Sequence, residues 1–337
     1  MKTDTTINTF FVYISVVAVS LVCAIALVVF IGTERNFISF LHPMFRLYNI
    51  KQHPSPLSHD RVQHIVCMVA SGRMGNTMFE FASTYGIARS KGMKLLVPET
   101  FYLLKIFKLK VDVYKINSTI CDPSRVVTRS ERQACAFDKN LVNFDNTSDV
   151  RIALYLQSYL YFDKFNKELR QQFIFKDEIR KEANKLIENI LKENHITTRT
   201  NVRLIGVHVR RGDYVNHPAG YKVATKQYLE KAVLWYQSRY KNIYFIVASN
   251  GLDWTKKNMP TNISVTYLKG NTPSVDMATI SSCDHFIATV GTYSWWSGWL
   301  TGGNVTYYRW PSKEGSPLRT VYSKDYSDYY PPHWIGI

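Results

Sequence analysis

The chain has 337 residues, of which 46% are hydrophobic and 20% charged, with 22 tyrosines, 18 phenylalanines and 7 tryptophans. This composition is globular and excludes a disordered or low-complexity chain. Against 26 acidic residues stand 42 lysines and arginines, a formal charge of +16; the excess suits anionic partners such as nucleotides, nucleic acid or acidic glycans, and equally a solvated basic surface.

From Phe10 to Gly32 runs FFVYISVVAVSLVCAIALVVFIG, 23 residues without a charge. At about 1.5 Å per residue this stretch crosses a bilayer core of about 30 Å. It exceeds the roughly 7–15 apolar residues of a cleaved signal peptide and reads as an uncleaved signal-anchor. Residues 1–9 then form a short tail, and 33–60, with His42-Pro43 and His53-Pro54-Ser55-Pro56, a stem. The flanking charges nearly cancel and do not orient the span. Four N-x-S/T sequons, at Asn117, Asn146, Asn262 and Asn304, favour a luminal body, hence a type II topology. Anchor and sequons together argue against a nucleic-acid partner. Beyond Cys23 in the span, Cys67, Cys121, Cys135 and Cys283 allow three full pairings. Cys121 with Cys135 is the easiest to imagine, because both lie in an irregular polar stretch whereas Cys67 sits in an apolar strand and Cys283 at a helix end.

At Val62 the pattern becomes VQHIVCMVA, a buried strand, followed by the glycine turn SGRMGN, a helical run to about residue 92 and the strand MKLLV. Residues 100–150 are irregular, and 166–194 reads as one long amphipathic helix separating two halves, 61–200 and 201–337. The second half alternates regularly: strands at 203–209, 243–249, 263–268 and 285–289, helices at 226–240, 274–282 and 294–302. Strands alternating with helices predict parallel, doubly wound sheets. Two Rossmann-like halves facing across a cleft would make a GT-B-like α/β fold with ligands at the carboxyl ends of the strands.

The sharpest chemical signal is His208-Val209-Arg210-Arg211-Gly212-Asp213, where a buried strand ends and a glycine turns the chain. His208 and Arg210 share one face of the strand, while Arg211 points elsewhere. A guanidinium at that edge matches phosphate oxygens, so Arg210 is the first choice for a pyrophosphate contact and for stabilising a departing diphosphate without a metal. The alternative is a structural ion pair among Arg210, Arg211 and Asp213, and His208 taken alone is more often a hydrogen-bonded core histidine than a catalytic one. Gly72, Arg73, Gly75 and Asn76 close the first strand and open the first helix, where backbone N–H groups face an anion or a sugar, or simply form a tight turn. Gly291-Thr292-Tyr293-Ser294 is a second strand-to-helix turn, with Thr292 or Ser294 as N-cap, leading into Trp295, Trp296 and Trp299, which read as core. Asp276, in a first helical turn, suits a base or ribose, or the helix dipole alone. Nowhere do two aspartates flank a single residue, so no metal site is expected. An adhesion reading of Arg211-Gly212-Asp213 is disfavoured because the tripeptide directly follows the apolar strand IGVHV.

Taken together, GRMGNTMFEFASTYGIAR (72–89), GVHVRRGDYV (206–215), FIVASNGLDW (245–254), DMATISSCDHFIATVGTYSWWSGWLTGG (276–303) and PPHWIGI (331–337) resemble the α-1,2-fucosyltransferases of glycosyltransferase family 11. The resemblance implies a GT-B fold, a Golgi enzyme with a luminal body, GDP-fucose as co-substrate with no further cofactor, and a galactose-terminated glycan as acceptor, fucosylated at O2 with inversion. It implies Arg210 at the donor pyrophosphate, His208, Asp213 and the Gly291–Ser294 turn shaping that pocket, and Arg73 and Asn76 near the sugar. Asp213 or His208 would take the acceptor proton, unless a dissociative path needs no strong base. Thr77 departs from the family, which usually has glutamine there. GDP-fucose transfer to peptide hydroxyls or core N-glycan is the alternative within the enzyme class, because the histidine-arginine-arginine element is shared more widely than the rest.

Overall fold

A β-α-β unit opens the part of the chain that the computed structural model describes, residues 63–337; the tail, the anchor at 10–32 and the stem lie outside the described residues. Strand β1 (Ile65–Met68) is buried throughout, and after the Gly72 turn helix α1 runs from Met74 to Lys91. Most of α1 is buried, so its small residues serve close packing rather than one amphipathic stripe. It ends at Gly92, whose φ of 65° gives the left-handed cap, with Arg89 and Lys91 in the last turn complementing the helix dipole. Strand β2 (Lys94–Pro98) returns parallel to β1.

The stretch expected to be irregular contributes strands β3 (Asp112–Tyr114) and β4 (Val127–Ser130), a short helix α2 (Lys139–Val142) and β5 (Val150–Ala153). They complete a parallel five-stranded sheet in the order β3-β2-β1-β5-β4. Strands this short, with exposed side chains at the edges, carry no readable alternation.

The long helix expected over 166–194 is two helices, α3 (Asn166–Gln172) and α4 (Asp177–Glu193). Between them the backbone pairs with Ile106 and Lys108, and Phe175 forms a bridge to Phe107. Phe173 and Phe175 pack on Phe107, so tertiary burial overrides an otherwise continuous helical pattern.

The second sheet is parallel and six-stranded, β11-β10-β9-β6-β7-β8. Its strands are β6 (Arg203–Val209), β7 (Ile243–Ser249), β8 (Val265–Tyr267), β9 (His285–Ala288), β10 (Val305–Tyr307) and β11 (Ile335–Gly336). Central β6 is buried from Leu204 to Val209 and pairs with β7 and β9, as expected for an apolar run in a parallel sheet. The connecting helices are α5 (Lys226–Gln237), α6 (Leu252–Asn258), α7 (Pro273–Ser281) and α8 (Thr292–Thr301); α9 (Pro317–Thr320) precedes the C-terminus. Each element expected here falls within a few residues of its range, and α6, β10, α9 and β11 are additional.

Residues Gln63–Ile337 form one compact unit, with a hydrophobic core that runs from α1 to the C-terminus. Phe79 of α1 lies 4.6 Å from Trp295 and 5.1 Å from Trp296 of α8, and Phe162 stacks on Trp296 while Phe173 meets it edge-on. The tryptophans are core residues, as expected. Trp334, in the terminal PPHWIGI, packs on Trp295 and delivers β11 to β10. Asp328 and the backbone near Thr320 bond to Phe137 and Gln133, tying the C-terminal segment to the first half.

The cysteine pairing differs from the expected one. Cys67 of β1 is bonded to Cys121, and Cys135 and Cys283 are buried free thiols. The polar stretch after β3 folds back over Ile65 and Leu96, bringing Cys121 onto β1. Cys135 instead pairs its backbone with the segment around Val321 and Tyr322. The crosslink spans 54 residues, and Cys121→Ala should lower unfolding free energy by about 2–4 kcal/mol. Denaturant unfolding of oxidised protein, with and without the substitution, measures this.

Candidate active site

Three strand ends meet. After β1 the chain turns at Gly72 into α1, after β6 it reaches Arg210–Asp213, and after β9 it turns at Gly291 into α8. The N-termini of α1 and α8 are in direct contact: a Cβ on Gly75 would lie 2.5 Å from the Tyr293 nitrogen and 2.7 Å from the Thr292 carbonyl carbon. The Thr292 hydroxyl donates to Asn76 Oδ1 at 2.8 Å, and Gln157 Nε2 donates to the same oxygen at 3.3 Å. Neither helix has a side-chain N-cap bond, since Arg73 and Gly291 occupy the cap positions. First-turn N–H groups and two helix dipoles therefore converge on one place.

The expected capping role of Thr292 or Ser294 is corrected accordingly. Helix α8 begins at Thr292, whose hydroxyl goes to Asn76, while buried Ser294 accepts the Thr289 N–H at 2.8 Å and braces the turn from beneath. Gly291, at φ 99°, makes the turn in a backbone region that side chains disfavour.

Cationic groups surround this point. Arg210 Nη2 donates to Asp213 Oδ2 at 2.7 Å, its guanidinium lies 4.7 Å from the Tyr214 ring, and its Nε is buried without a partner. The Thr289 hydroxyl receives the Arg210 N–H and donates to the His208 carbonyl, fixing the strand end. Arg73, with a side chain 87% exposed, reaches Asp213 from the other half at 3.8 Å. Asn250 Nδ2 is the second hydrogen-bond donor to Asp213, at 3.3 Å, and its Oδ1 accepts the Arg211 N–H. The ion pair expected as an alternative is thus present between Arg210 and Asp213, yet it uses one corner of the guanidinium and holds the remainder in place. Arg211 turns away to the Ala224 carbonyl and stacks on Trp254 at 3.6 Å.

His208 is buried, with its ring 4.6 Å from that of Tyr293. Burial and then the Arg210 charge push its pKa down to about 3, so the imidazole is neutral at physiological pH. The Tyr293 hydroxyl donates to the Pro273 carbonyl at the start of α7, where Thr272 caps the helix. Asp276, one turn on, accepts from Asn271, and burial raises its pKa. Thr77 is buried and bonds back to the Met74 carbonyl, so it braces α1 internally. The four sequon asparagines are all exposed; the Asn146 and Asn304 amides donate to the Lys91 carbonyl and the Tyr240 hydroxyl.

The profile of Glycosyl transferase family 11 matches residues 39–337. The chain belongs to glycosyl transferase family 11. Among relatives of this family 11 chain, galactoside alpha-(1,2)-fucosyltransferase 2 of Hylobates lar is 30% identical over 290 residues, 83% of this chain and 81% of that protein. The protein of the same name from Mus musculus is 29% identical over 286 residues, 82% and 79% of the two chains. The crystal structure of fucosyltransferase NodZ from Bradyrhizobium superposes with a TM-score of 0.46 at 13% identity, covering 70% of this chain and 92% of that one.

Two residues of the site escape a sequence reading. Asn250 follows β7 in a Ser-Asn-Gly turn, a signal of chain reversal rather than of contact with Asp213. Gln157 has no local signal, because it reaches Asn76 from a loop far along the chain.

Proposed function

We propose that this chain transfers L-fucose from GDP-β-L-fucose to the 2-hydroxyl of a terminal galactose, with inversion at the anomeric carbon, in a GT-B-like fold. The observation that carries this reading is the meeting of two uncapped helix N-termini with Arg210 and Arg73 at the carboxyl ends of parallel strands, in a family 11 chain. A diphosphate seated there faces first-turn N–H groups of α8 and the unpaired Nε of Arg210. In this reading Asp276, in the first turn of α7, would accept from the N–H groups of the guanine, with Tyr293 and neutral His208 forming the wall between base and phosphates. The turn containing Gly72, Arg73, Gly75 and Asn76 takes the sugar side.

In the transfer, the C1–O bond to GDP loosens as negative charge builds on the leaving diphosphate, where Arg210 is already fixed. The galactose O2 then forms its bond to C1 from the opposite face, and its proton passes to Asp213, the half-exposed carboxylate at this point. His208 is a poor proton acceptor in this setting, being buried and held neutral by a strongly lowered pKa. No metal is required in this scheme, because fixed cations and helix dipoles face the leaving group. The Cys67–Cys121 disulfide and the four sequons support a luminal body on a type II Golgi anchor.

GDP release by the full chain in detergent tests the reading, with GDP-fucose, a panel of β-galactosides and EDTA. Turnover that depends on the β-galactoside, persists in EDTA and yields the α-1,2 linkage by NMR is the expected result. Turnover only on peptide hydroxyls or core N-glycan, or its abolition by EDTA and restoration by a divalent cation, would overturn the galactoside or the metal-free assignment respectively.

A further inference from the structure

Beneath the sugar-side turn lie two carboxyl groups that the transfer step does not use. Glu80 of α1 is fully buried, and Glu131, just after β4, is 5% exposed. Glu80 Oε2 accepts the Ser71 N–H at 2.9 Å, immediately before Gly72. Glu131 Oε1 accepts the Leu156 N–H at 2.7 Å, immediately before Gln157. The other oxygen of each, Glu80 Oε1 and Glu131 Oε2, is buried without a partner.

Both bonds lead to Asn76. On one side, the turn from Ser71 to Arg73 delivers the Arg73 carbonyl that accepts the Asn76 N–H at 2.9 Å. On the other, Gln157 donates to Asn76 Oδ1. Leu156 sits in the left-handed region, at φ 51°, and Leu154 at 76°, which leucine disfavours. That segment persists because it is held at several points: Ser83, three residues beyond Glu80 on α1, donates to the Leu156 carbonyl at 2.7 Å, and the Gln157 N–H bonds to the Ala134 carbonyl.

We propose that Glu80 and Glu131 are positioning residues for the transfer site, which as uncharged carboxylic acids clamp the Ser71–Asn76 turn and the Leu156–Gln157 segment onto Asn76. This inference rests on the reading that the turn takes the sugar side. Among the described residues neither carboxyl has a lysine, arginine or histidine partner. The groups facing them are acidic or neutral: each other, Cys135, Tyr161, and Asp138, whose charge is taken up by both Nε and Nη2 of Arg132. An unpaired ionised carboxylate is not tolerated in such a place and takes up a proton instead. Burial raises both pKa values to about 8 against the lowering effect of the backbone N–H bonds, with a smaller rise from Glu131 for Glu80 and from Asp138 for Glu131. Above that pH an ionised carboxylate is relieved by opening to water, and the Ser71 or Leu156 N–H is released with it.

The test uses the full chain, wild type, Glu80→Gln and Glu131→Gln, from pH 6.5 to 9.5. Wild-type kcat/KM for GDP-fucose should fall about a hundredfold between pH 7 and 9, as two protons with pKa values near 8 are lost. Each glutamine variant should keep most of the wild-type turnover at pH 7 and fall only about tenfold over the same range, through the carboxyl group that remains. Hydrogen exchange in 69–76 and 154–158, corrected for its intrinsic pH dependence, should accelerate across this range in wild type, while Glu80→Gln abolishes the change in 69–76 and Glu131→Gln that in 154–158. An alkaline fall and exchange unchanged by both substitutions, or glutamine variants that are folded yet inactive at pH 7, would overturn the proposal. If one variant fails to fold, the other carries the comparison. Exchange that switches as expected in a protein that turns over no β-galactoside would sink the fucosyl-transfer reading and leave the carboxyl clamp standing.

Discussion

Arg210→Ala should lower kcat by about 10²- to 10³-fold, the usual loss when a group stabilising developing charge is removed, while the protein stays folded. Arg210 is exposed on only a fifth of its side chain, but its packing is at the strand end, against Tyr214, and not in the core. The Thr289 bond that fixes the strand end comes from the Arg210 backbone and survives the substitution. The loss should therefore appear in kcat more than in the melting temperature. Arg210→Lys separates charge from shape: an ammonium can keep the contact to Asp213, but it has no Nε in the position that is now buried and unpartnered. If the diphosphate is bound through the fork, the lysine variant recovers only part of the lost rate. Steady-state kinetics with GDP release, alongside thermal melts, decides the matter, and a lysine variant as active as wild type would reduce Arg210 to a point charge.

The parts of this site legible in the sequence are those where local pattern and chemistry coincide. An apolar run ending in His-Val-Arg-Arg-Gly-Asp announces a strand, its carboxyl end and a phosphate-matching fork in one segment, and β6 with Arg210 stands there. The Gly72 and Gly291 turns were legible for the same reason, since each closes a strand and opens a helix. What the sequence did not disclose depends on distant chain segments. Cys121 meets Cys67 because a polar loop folds over β1 and β2, which no spacing reveals. Helix 166–194 breaks because Phe173 and Phe175 are claimed by Phe107, although their spacing suits an unbroken helix. Asn250 and Gln157 are ordinary polar loop residues until the fold brings them to Asp213 and Asn76. Glu80 reads as a polar position on a helix and proves to be fully buried.

Gly75→Ala should both destabilise the protein and disable it, because the site is built at a point of backbone contact. A methyl group there meets the Tyr293 nitrogen at 2.5 Å, with the Thr292 carbonyl carbon and hydroxyl at 2.7 Å. Two of these three are backbone atoms at the start of α8, held from behind by Ser294 and by the tryptophan core, so they have nowhere to retreat. Overpacking of this kind costs about 1–3 kcal/mol, a fall in melting temperature of roughly 2–12 °C for a body of this size. Any relief moves α8 away from α1, breaks the Thr292–Asn76 bond and parts the two helix N-termini, so the KM for GDP-fucose should rise beyond what unfolding explains. Gly92→Ala supplies the control on the same helix. Its φ of 65° makes alanine strained, but nothing lies within 4 Å of the added Cβ. That variant should lose about 1 kcal/mol of stability and keep its donor KM. If Gly75→Ala matched Gly92→Ala in both readouts, α1 and α8 would be able to separate without consequence, and the convergence of their N-termini would not be what binds the diphosphate.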